Sequence, residues 1–370
     1  MNLPVSAARH TRSRLAGAIA IAAVAAIALS SCATNEAPAK AGSTTTTLAG
    51  TLNGSGASSQ GSASDAWIAA FQTANPDVTV NYSPDGSGAG RKAFIAGGVQ
   101  YAGSDSALSD EELAGTFAAC APDSSAIDLP VYVSPIAVIF NVAGVKKLNL
   151  DAATIAGIFK GAISKWNDPA IAALNPGAAL PSADITAVHR SDDSGTTKNF
   201  ADYLHQVAPQ VWDEKPADTF PYPGEAAQGT SGVVDAVTSG VNTIGYADAS
   251  RAGDLGVAAL KVGDTFVDYT AKAAAAVVEG SPLATGRAAN DIAITLDRKT
   301  TDASHYPLVL VSYLIACQQY PDEATAKLVK AYLGYVASSE GQQEAATSAG
   351  SAPLSSELAT KVAAAIATIK

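Results

Sequence analysis

The sequence has 370 residues, 48% of them hydrophobic, and a formal net charge of −11. This length exceeds one ordinary hydrophobic core and predicts two lobes, while the acidic composition argues against nucleic acid as a partner. Four His residues lie far apart and no Cys/His spacing fits a metal site, so we expect neither a metal nor a cofactor.

The N-terminus has the pattern of a secretory signal peptide. A basic head precedes an apolar run from Leu15 to Leu29, which is shorter than the roughly twenty residues that span a membrane. The run ends in Leu29-Ser30-Ser31-Cys32, which resembles a bacterial lipobox. We therefore expect residues 1–31 to be removed and Cys32 to be lipidated. Residues 32–47 then form a flexible tether to the extracytoplasmic face of the cell membrane.

Strand and helix patterns alternate along the rest of the chain, which predicts an α/β fold. Two apolar strands, at 129–142 and 306–316, are long enough to join the two lobes. We therefore assign residues 48–131 and 309–370 to lobe one and residues 132–308 to lobe two. The other predicted strands are 78–82, 101–104 and 184–190, and the predicted helices are 65–75, 91–97, 151–160, 198–207, 322–338 and 355–369.

Three loops of small residues each follow a strand and precede a helix. They are Gly54–Ser59, Gly86–Gly90 and Asp193–Thr197. The unpaired N–H groups and the positive dipole end of a helix N-terminus bind anions. One such loop would be an ordinary helix cap, but three in one chain indicate an anion site. None fits the glycine-rich patterns of nucleotide-binding loops.

Two charged residues lie beside these loops. Arg190 ends a strand just before the third loop, where its guanidinium would bind an oxyanion or form a surface ion pair with Asp192 or Asp193. Asp105 ends another strand, where it would cap a turn or accept a hydrogen bond from an anion that carries a proton.

An enzyme is an alternative interpretation, because Ser194, His189 and Asp192 are the residue types of a hydrolytic triad. However, His189 neighbours Arg190 on a strand, so the two side chains point to opposite faces. The chain also lacks a Gly-x-Ser-x-Gly elbow. We therefore expect a binding protein and not an enzyme, and keep a phosphate-ester hydrolase as the alternative.

Longer motifs surround these loops. They are Ile158–Gly161, Lys165–Pro169, Leu174–Gly177, His189–Thr197, Gly245–Ala247 and Tyr101–Ser109. From about residue 48 to its end, the chain thereby resembles PstS, the family of phosphate-binding proteins of phosphate-specific ABC transport systems. The resemblance implies a type II periplasmic-binding-protein fold, in which two α/β lobes joined by two crossing strands hold the ligand in a cleft between them.

The resemblance also implies a ligand, partners and a binding site. The ligand would be inorganic phosphate, delivered by a monomer to the permease and ATPase subunits of an ABC importer. Asp192 would hold Arg190 in place. The phosphate would contact Ser58, Ser59, Ser87, Asp105, Arg190, Ser194, Gly195 and Thr196. Sulfate and molybdate remain alternative ligands, and a structural surface lipoprotein is a further alternative.

Two positions depart from the pattern of the family. Asp193 stands where a Gly is usual, which adds a carboxylate near the anion. Ser59 stands where a bulky residue is common, and we expect it to contribute its backbone N–H. Elsewhere, Cys120 and Cys317 form an even pair in an oxidising compartment, so they are either a disulfide or two buried thiols.

Overall fold

The computed structural model describes residues 48–370. The signal peptide at residues 1–31, the lipidation site Cys32 and the tether at residues 32–47 lie outside these described residues. None of the helices within residues 48–370 combines the length and apolar character needed to cross a membrane.

The described residues form eleven strands and eleven α-helices. The strands are β1 (Gly50–Gly56), β2 (Val78–Ser83), β3 (Tyr101–Ser104), β4 (Ala126–Asn141), β5 (Leu148–Leu150), β6 (Thr186–Arg190), β7 (Glu225–Ala227), β8 (Thr243–Asp248), β9 (Gly256–Val262), β10 (Thr265–Val267) and β11 (Val309–Cys317). The helices are α1 (Gly61–Ala74), α2 (Ser87–Ile95), α3 (Asp110–Leu113), α4 (Ala152–Phe159), α5 (Pro169–Leu174), α6 (Gly195–Val207), α7 (Gly229–Ser239), α8 (Ala271–Glu279), α9 (Glu323–Ala337), α10 (Ser339–Ala349) and α11 (Ser356–Ala367).

The strands join in the order β2-β1-β3-β11-β4-β8-β6-β7, with β9 also paired to β4, and β5 and β10 paired to β9. Strands β1, β2 and β3 run parallel to one another, as do β6, β7 and β8. Strand β11 is antiparallel to β3 and β4, and β4 is antiparallel to β8. The result is a periplasmic-binding-protein fold, with one lobe built on β2, β1, β3 and β11 and the other on β8, β6 and β7.

Strand β4 belongs to both lobes. It pairs with β11 from Ala126 to Pro135 and with β8 from Ile136 to Asn141. Every residue of β4 except Asn141 is buried, which accounts for its largely apolar sequence. The predicted lobe boundaries at 131/132 and 308/309 stay a prediction. Arg287, which they place in lobe two, forms an ion pair with Asp128 at the start of β4.

Aromatic clusters fix the helices that border the site. In the first lobe, Trp67 of α1 donates from Nε1 to the carbonyl oxygen of Gly341 at 2.7 Å, and Phe71 packs edge-on against Tyr332. In the second lobe, Phe200 of α6 stacks on Tyr246 of β8 with ring centroids 4.2 Å apart. The N-termini of α1 and α6 are therefore held on rigid elements.

Cys120 and Cys317 are joined by a disulfide, with their Cα atoms 5.3 Å apart. The bond ties the loop before β4 to the last residue of β11. The sequence left this bond and two buried thiols as open alternatives, and the structure has the bond.

Candidate anion-binding site

Four helix N-termini meet between the two lobes. They belong to α1, α2, α6 and α7. The closeness of approach is shown by Gly195, the first residue of α6, because a Cβ at this position would lie 2.7 Å from both the Cβ of Asp105 and the Oγ of Ser87. Only glycine fits there. The backbone N–H groups and the positive dipole ends of these helices are therefore directed at the same region between the lobes.

Asp105, directly after β3, is the acidic group of the site and is 3% exposed. Its carboxylate accepts hydrogen bonds from the Ser59 hydroxyl at 2.6 and 2.7 Å and from the Thr196 hydroxyl at 2.8 Å. Burial raises the pKa of Asp105, against the opposing effects of hydroxyl donors and of the positive charge of Arg190. Thr196 lies on α6, so Asp105 bonds both lobes.

Arg190, at the end of β6, is the basic group of the site and is also 3% exposed. Its guanidinium forms a two-pronged pair with Asp192, with Nε 2.7 Å from Oδ1. The Gly229 N–H donates to the same Oδ1 at 3.0 Å. Although burial opposes ionisation, the hydrogen bonds and charge of Arg190 lower the pKa of Asp192. Asp192 thereby fixes the guanidinium, which leaves Nη1 facing the Thr196 hydroxyl at 3.4 Å.

The structure brings the predicted residues of both lobes together. The Ser58 hydroxyl lies 3.1 Å from that of Thr230, and the Ser87 hydroxyl accepts from the Asp105 N–H at 3.1 Å. The Ser194 hydroxyl accepts from the Thr197 N–H at 3.2 Å and caps α6. Ser59 adds a contact that was not predicted, because its hydroxyl donates to Asp105, while its expected backbone contact with the anion stays a prediction.

The extra carboxylate of Asp193 points out of the site. It pairs with Lys92 of α2 at 2.5 Å, on a part of the surface where both side chains are exposed. The hydrogen bond from Lys92 lowers the pKa of Asp193. The backbone oxygen of Asp193 accepts from the Gly88 N–H at 2.9 Å. The departure from glycine therefore adds a contact between the lobes without placing a second free carboxylate in the site.

Several further residues that were not predicted from the sequence lie at this site. Thr230 donates its N–H to the Ser58 hydroxyl at 3.0 Å, and Asn199 donates from Nδ2 to the Asp105 carbonyl oxygen at 2.7 Å. Ser312 of β11 is fully buried close to Asp105, and its hydroxyl has no hydrogen-bond partner among the described residues. Thr230 had a detectable signal, because Gln228–Gly232 is a fourth small-residue segment at the start of a helix.

His189 lies away from the Ser194 hydroxyl. Its ring stacks on Phe220 with centroids 4.3 Å apart, and its Nδ1 is 2.9 Å from the Arg190 carbonyl oxygen. No base is thereby presented to Ser194, whose hydroxyl caps its helix. Within residues 48–370, no group of three or more His, Cys, Asp or Glu side chains has a geometry suited to a metal ion.

The arrangement suits a small tetrahedral oxyanion. Helix N-termini, hydroxyls and one guanidinium can donate hydrogen bonds to its oxygens. The carboxylate of Asp105 can only accept, so it favours an anion that carries a proton.

Known proteins resemble this chain in sequence and in fold. Residues 41–340 match the family model described as PBP superfamily domain. The chain is 37% identical to the phosphate-binding protein PstS 3 of Mycobacterium leprae over 297 residues, which cover 76% of this chain and 78% of that protein. It is 33% identical to the phosphate-binding protein PstS of Methanocaldococcus jannaschii over 300 residues, and these residues cover 75% of this chain and 75% of that protein.

A solved structure of a phosphate-binding protein from Stenotrophomonas maltophilia superposes with a TM-score of 0.62 at 19% identity, over 85% of this chain and 93% of that one. At this identity the likeness shows the fold alone.

Proposed function

This chain belongs to the PstS family of phosphate-binding proteins, within the PBP superfamily, and from this premise we propose that it captures inorganic phosphate between its two lobes for an ABC importer. The bound phosphate would be passed to the permease subunits of that importer, whose ATPase subunits supply the energy. The protein itself would catalyse no reaction, in keeping with a family of binding proteins.

One observation supports phosphate above other oxyanions. The buried Asp105 carboxylate lies among donors that suit any tetrahedral anion, and it is held by the Ser59 and Thr196 hydroxyls. At neutral pH, phosphate carries at least one O–H that can donate to a carboxylate, whereas sulfate carries none. A sulfate oxygen would place a lone pair against Asp105 in a site closed to water.

Calorimetric titration of phosphate-depleted protein tests this proposal. Phosphate should bind at one site per chain, and sulfate should bind weaker by about 10⁴-fold or more, as for sites built around a ligand hydroxyl. Equal or tighter binding of sulfate or molybdate would identify a different oxyanion carrier. Steady turnover of a phosphate monoester by the wild-type protein would favour the hydrolase alternative.

We also propose that the mature protein is held on the extracytoplasmic face of the cell membrane through lipidated Cys32. The support is the sequence around Leu29-Ser30-Ser31-Cys32. A Cys32→Ala variant should leave the membrane fraction and still bind phosphate, because Cys32 precedes the described fold. Wild-type protein found only in the soluble fraction of cells would contradict the anchor.

A further inference from the structure

A buried ion pair connects the two lobes beside the anion site. Arg91 lies on α2, one helical turn after Ser87. Its Nη2 donates to Oδ2 of Asp218 at 2.5 Å, and Asp218 lies in the segment between α6 and β7. The two side chains are only 9% and 15% exposed. The pair therefore joins helix α2 of one lobe to a loop of the other.

Residues of its own lobe fix the position of the Arg91 side chain. Its Nε donates to Glu112 at 2.8 Å and its Nη1 donates to the Ser104 hydroxyl at 3.0 Å. Glu112 is itself fixed as the acidic member of the capping box of α3, where it accepts from the Ser109 N–H at 2.7 Å. Arg91 is thus held by two residues of its own lobe, Glu112 and Ser104, while its Nη2 crosses to Asp218.

Asp218 connects the pair to the binding loop of the second lobe. Its backbone oxygen accepts from the N–H of Ser194, the residue that caps α6, at 2.9 Å. Asp218 thereby links Arg91 to the loop that carries Arg190 and Asp192. Separation of the two lobes would break the contact between Arg91 and Asp218 and leave Arg91 paired with Glu112.

Burial distinguishes this pair from the other charged contact across the cleft. Lys92 and Asp193 are 73% and 40% exposed, so water and salt screen their attraction and the pair contributes little. Arg91 and Asp218 interact where solvent is largely excluded, and such charge pairs act mainly on dissociation rates.

We propose that Arg91 and Asp218 form an electrostatic latch that holds the cleft closed and slows release of the anion without contacting it. This inference rests on the proposed function, because phosphate is the anion whose release would be slowed. The latch forms as the lobes meet, so it affects the rate of opening more than the rate of encounter. Arg91 and Asp218 are positioning residues in this scheme.

The test is the phosphate dissociation rate of an Asp218→Asn variant, measured by stopped-flow transfer of phosphate to an excess of a second phosphate binder. The variant keeps the backbone oxygen that accepts from Ser194, and Arg91 keeps Glu112, so no charge is left without a partner. We expect release to accelerate on the order of tenfold, with the association rate within about twofold of wild type.

Two matched controls test whether faster phosphate release is specific to the loss of the pair between Arg91 and Asp218. Glu112→Gln alters the same guanidinium from the same side of the cleft, and Lys92→Gln removes the exposed pair that crosses it. Both should leave the release rate within about threefold of wild type. An unchanged release rate in Asp218→Asn, with phosphate still bound, would overturn the latch alone. Absence of phosphate binding by the wild-type protein would overturn the proposed function together with the latch.

Discussion

Asp105 and Arg190 have opposite charges in one buried site, and their chemistry separates their roles. Arg190 supplies positive charge to any oxyanion, and Asp192 holds its guanidinium in place. Asp105 supplies only acceptor oxygens, so its interaction depends on whether the ligand carries a proton. Affinity for anions and selectivity among them therefore belong to different residues.

An Asp105→Asn variant should lose most of its preference for phosphate over sulfate. The amide replaces one acceptor oxygen by a donor, which removes the repulsion of sulfate and adds a hydrogen bond to it. We expect the ratio of the two affinities, measured by calorimetry, to fall by roughly two orders of magnitude or more, from a wild-type ratio of about 10⁴.

Arg190→Ala is the matched comparison. It should weaken phosphate binding by a factor of a hundred or more, since charge-assisted bonds contribute about 1.5–3 kcal/mol each, without creating sulfate binding. If the Asp105→Asn variant keeps the wild-type ratio of phosphate to sulfate affinity, Asp105 does not distinguish the two anions by their proton.

The sequence marked both charged residues of the candidate site and five of its Ser and Thr residues, but not Ser312 or Thr230. Asp105 and Arg190 end strands beside small-residue loops, a pattern visible in one dimension. Ser312 lies within an apolar strand, where nothing in the sequence marks it. Thr230 meets Ser58, which is 172 positions away, so their contact exists only after the lobes have folded.

At the scale of elements, the crossing of β4 and β8 contains a buried acid. Asp248 ends β8, is fully buried, and accepts from the Tyr132 hydroxyl at 3.1 Å and the Ser250 N–H at 2.9 Å, both on Oδ1. Its Oδ2 has no hydrogen-bond partner among the described residues. Burial raises the pKa of Asp248 to about 6, so the ionised form of this carboxyl destabilises the fold.

An Asp248→Asn variant should therefore be stabilised more at pH 8 than at pH 5. An unfolded Asp has a pKa near 3.9, so the cost of burying the charge is absent below about pH 4, grows up to about pH 6 and is complete above it. Urea unfolding should show that the gain over wild type is larger at pH 8 by roughly 1 kcal/mol.

Asp77→Asn, at an exposed position, is the control for the effect of an Asp-to-Asn substitution itself. An Asp248→Asn gain that is equal at pH 5 and pH 8 would mean that the carboxyl is not forced toward its neutral form by burial.

The disulfide is the second prediction at this scale. Without reductant, denatured Cys32→Ala protein should show no free thiol, and it should show two after reduction, because Cys120 and Cys317 are bonded. The bond closes a loop with a sequence separation of 197, so its reduction should destabilise the fold by about 2–5 kcal/mol. Two thiols labelled before reduction would contradict the bond.

Strands and helices were predicted best where polar or capping residues mark their ends in the sequence. Strand β3 was placed at 101–104, as observed, since a polar loop follows it. Helix α6 begins at Gly195, three residues before its predicted start, because Ser194 caps it. The predicted strand at 306–316 began too early. Tyr306 is buried, but its backbone N–H donates to the Ala273 carbonyl oxygen of α8 at 2.9 Å, and β11 begins only at Val309.

In the molecule as a whole, the two lobes share strand β4 and the candidate site. The lobes touch through Asp105 with Thr196, Ser58 with Thr230, and Arg91 with Asp218. Most of these contacts surround the anion site, so they would be lost together if the lobes moved apart. A ligand held by both lobes favours the closed form by its differential affinity for that form.

Small-angle X-ray scattering tests whether phosphate, and not sulfate, closes the cleft between the lobes. The wild-type protein is first depleted of phosphate and then saturated with either anion. Phosphate should reduce the radius of gyration, and the phosphate-saturated curve should agree with the closed arrangement of residues 48–370. The same concentration of sulfate should leave the depleted curve unchanged. Equal compaction by both anions, or none by phosphate, would contradict the proposal that the cleft closes selectively on phosphate.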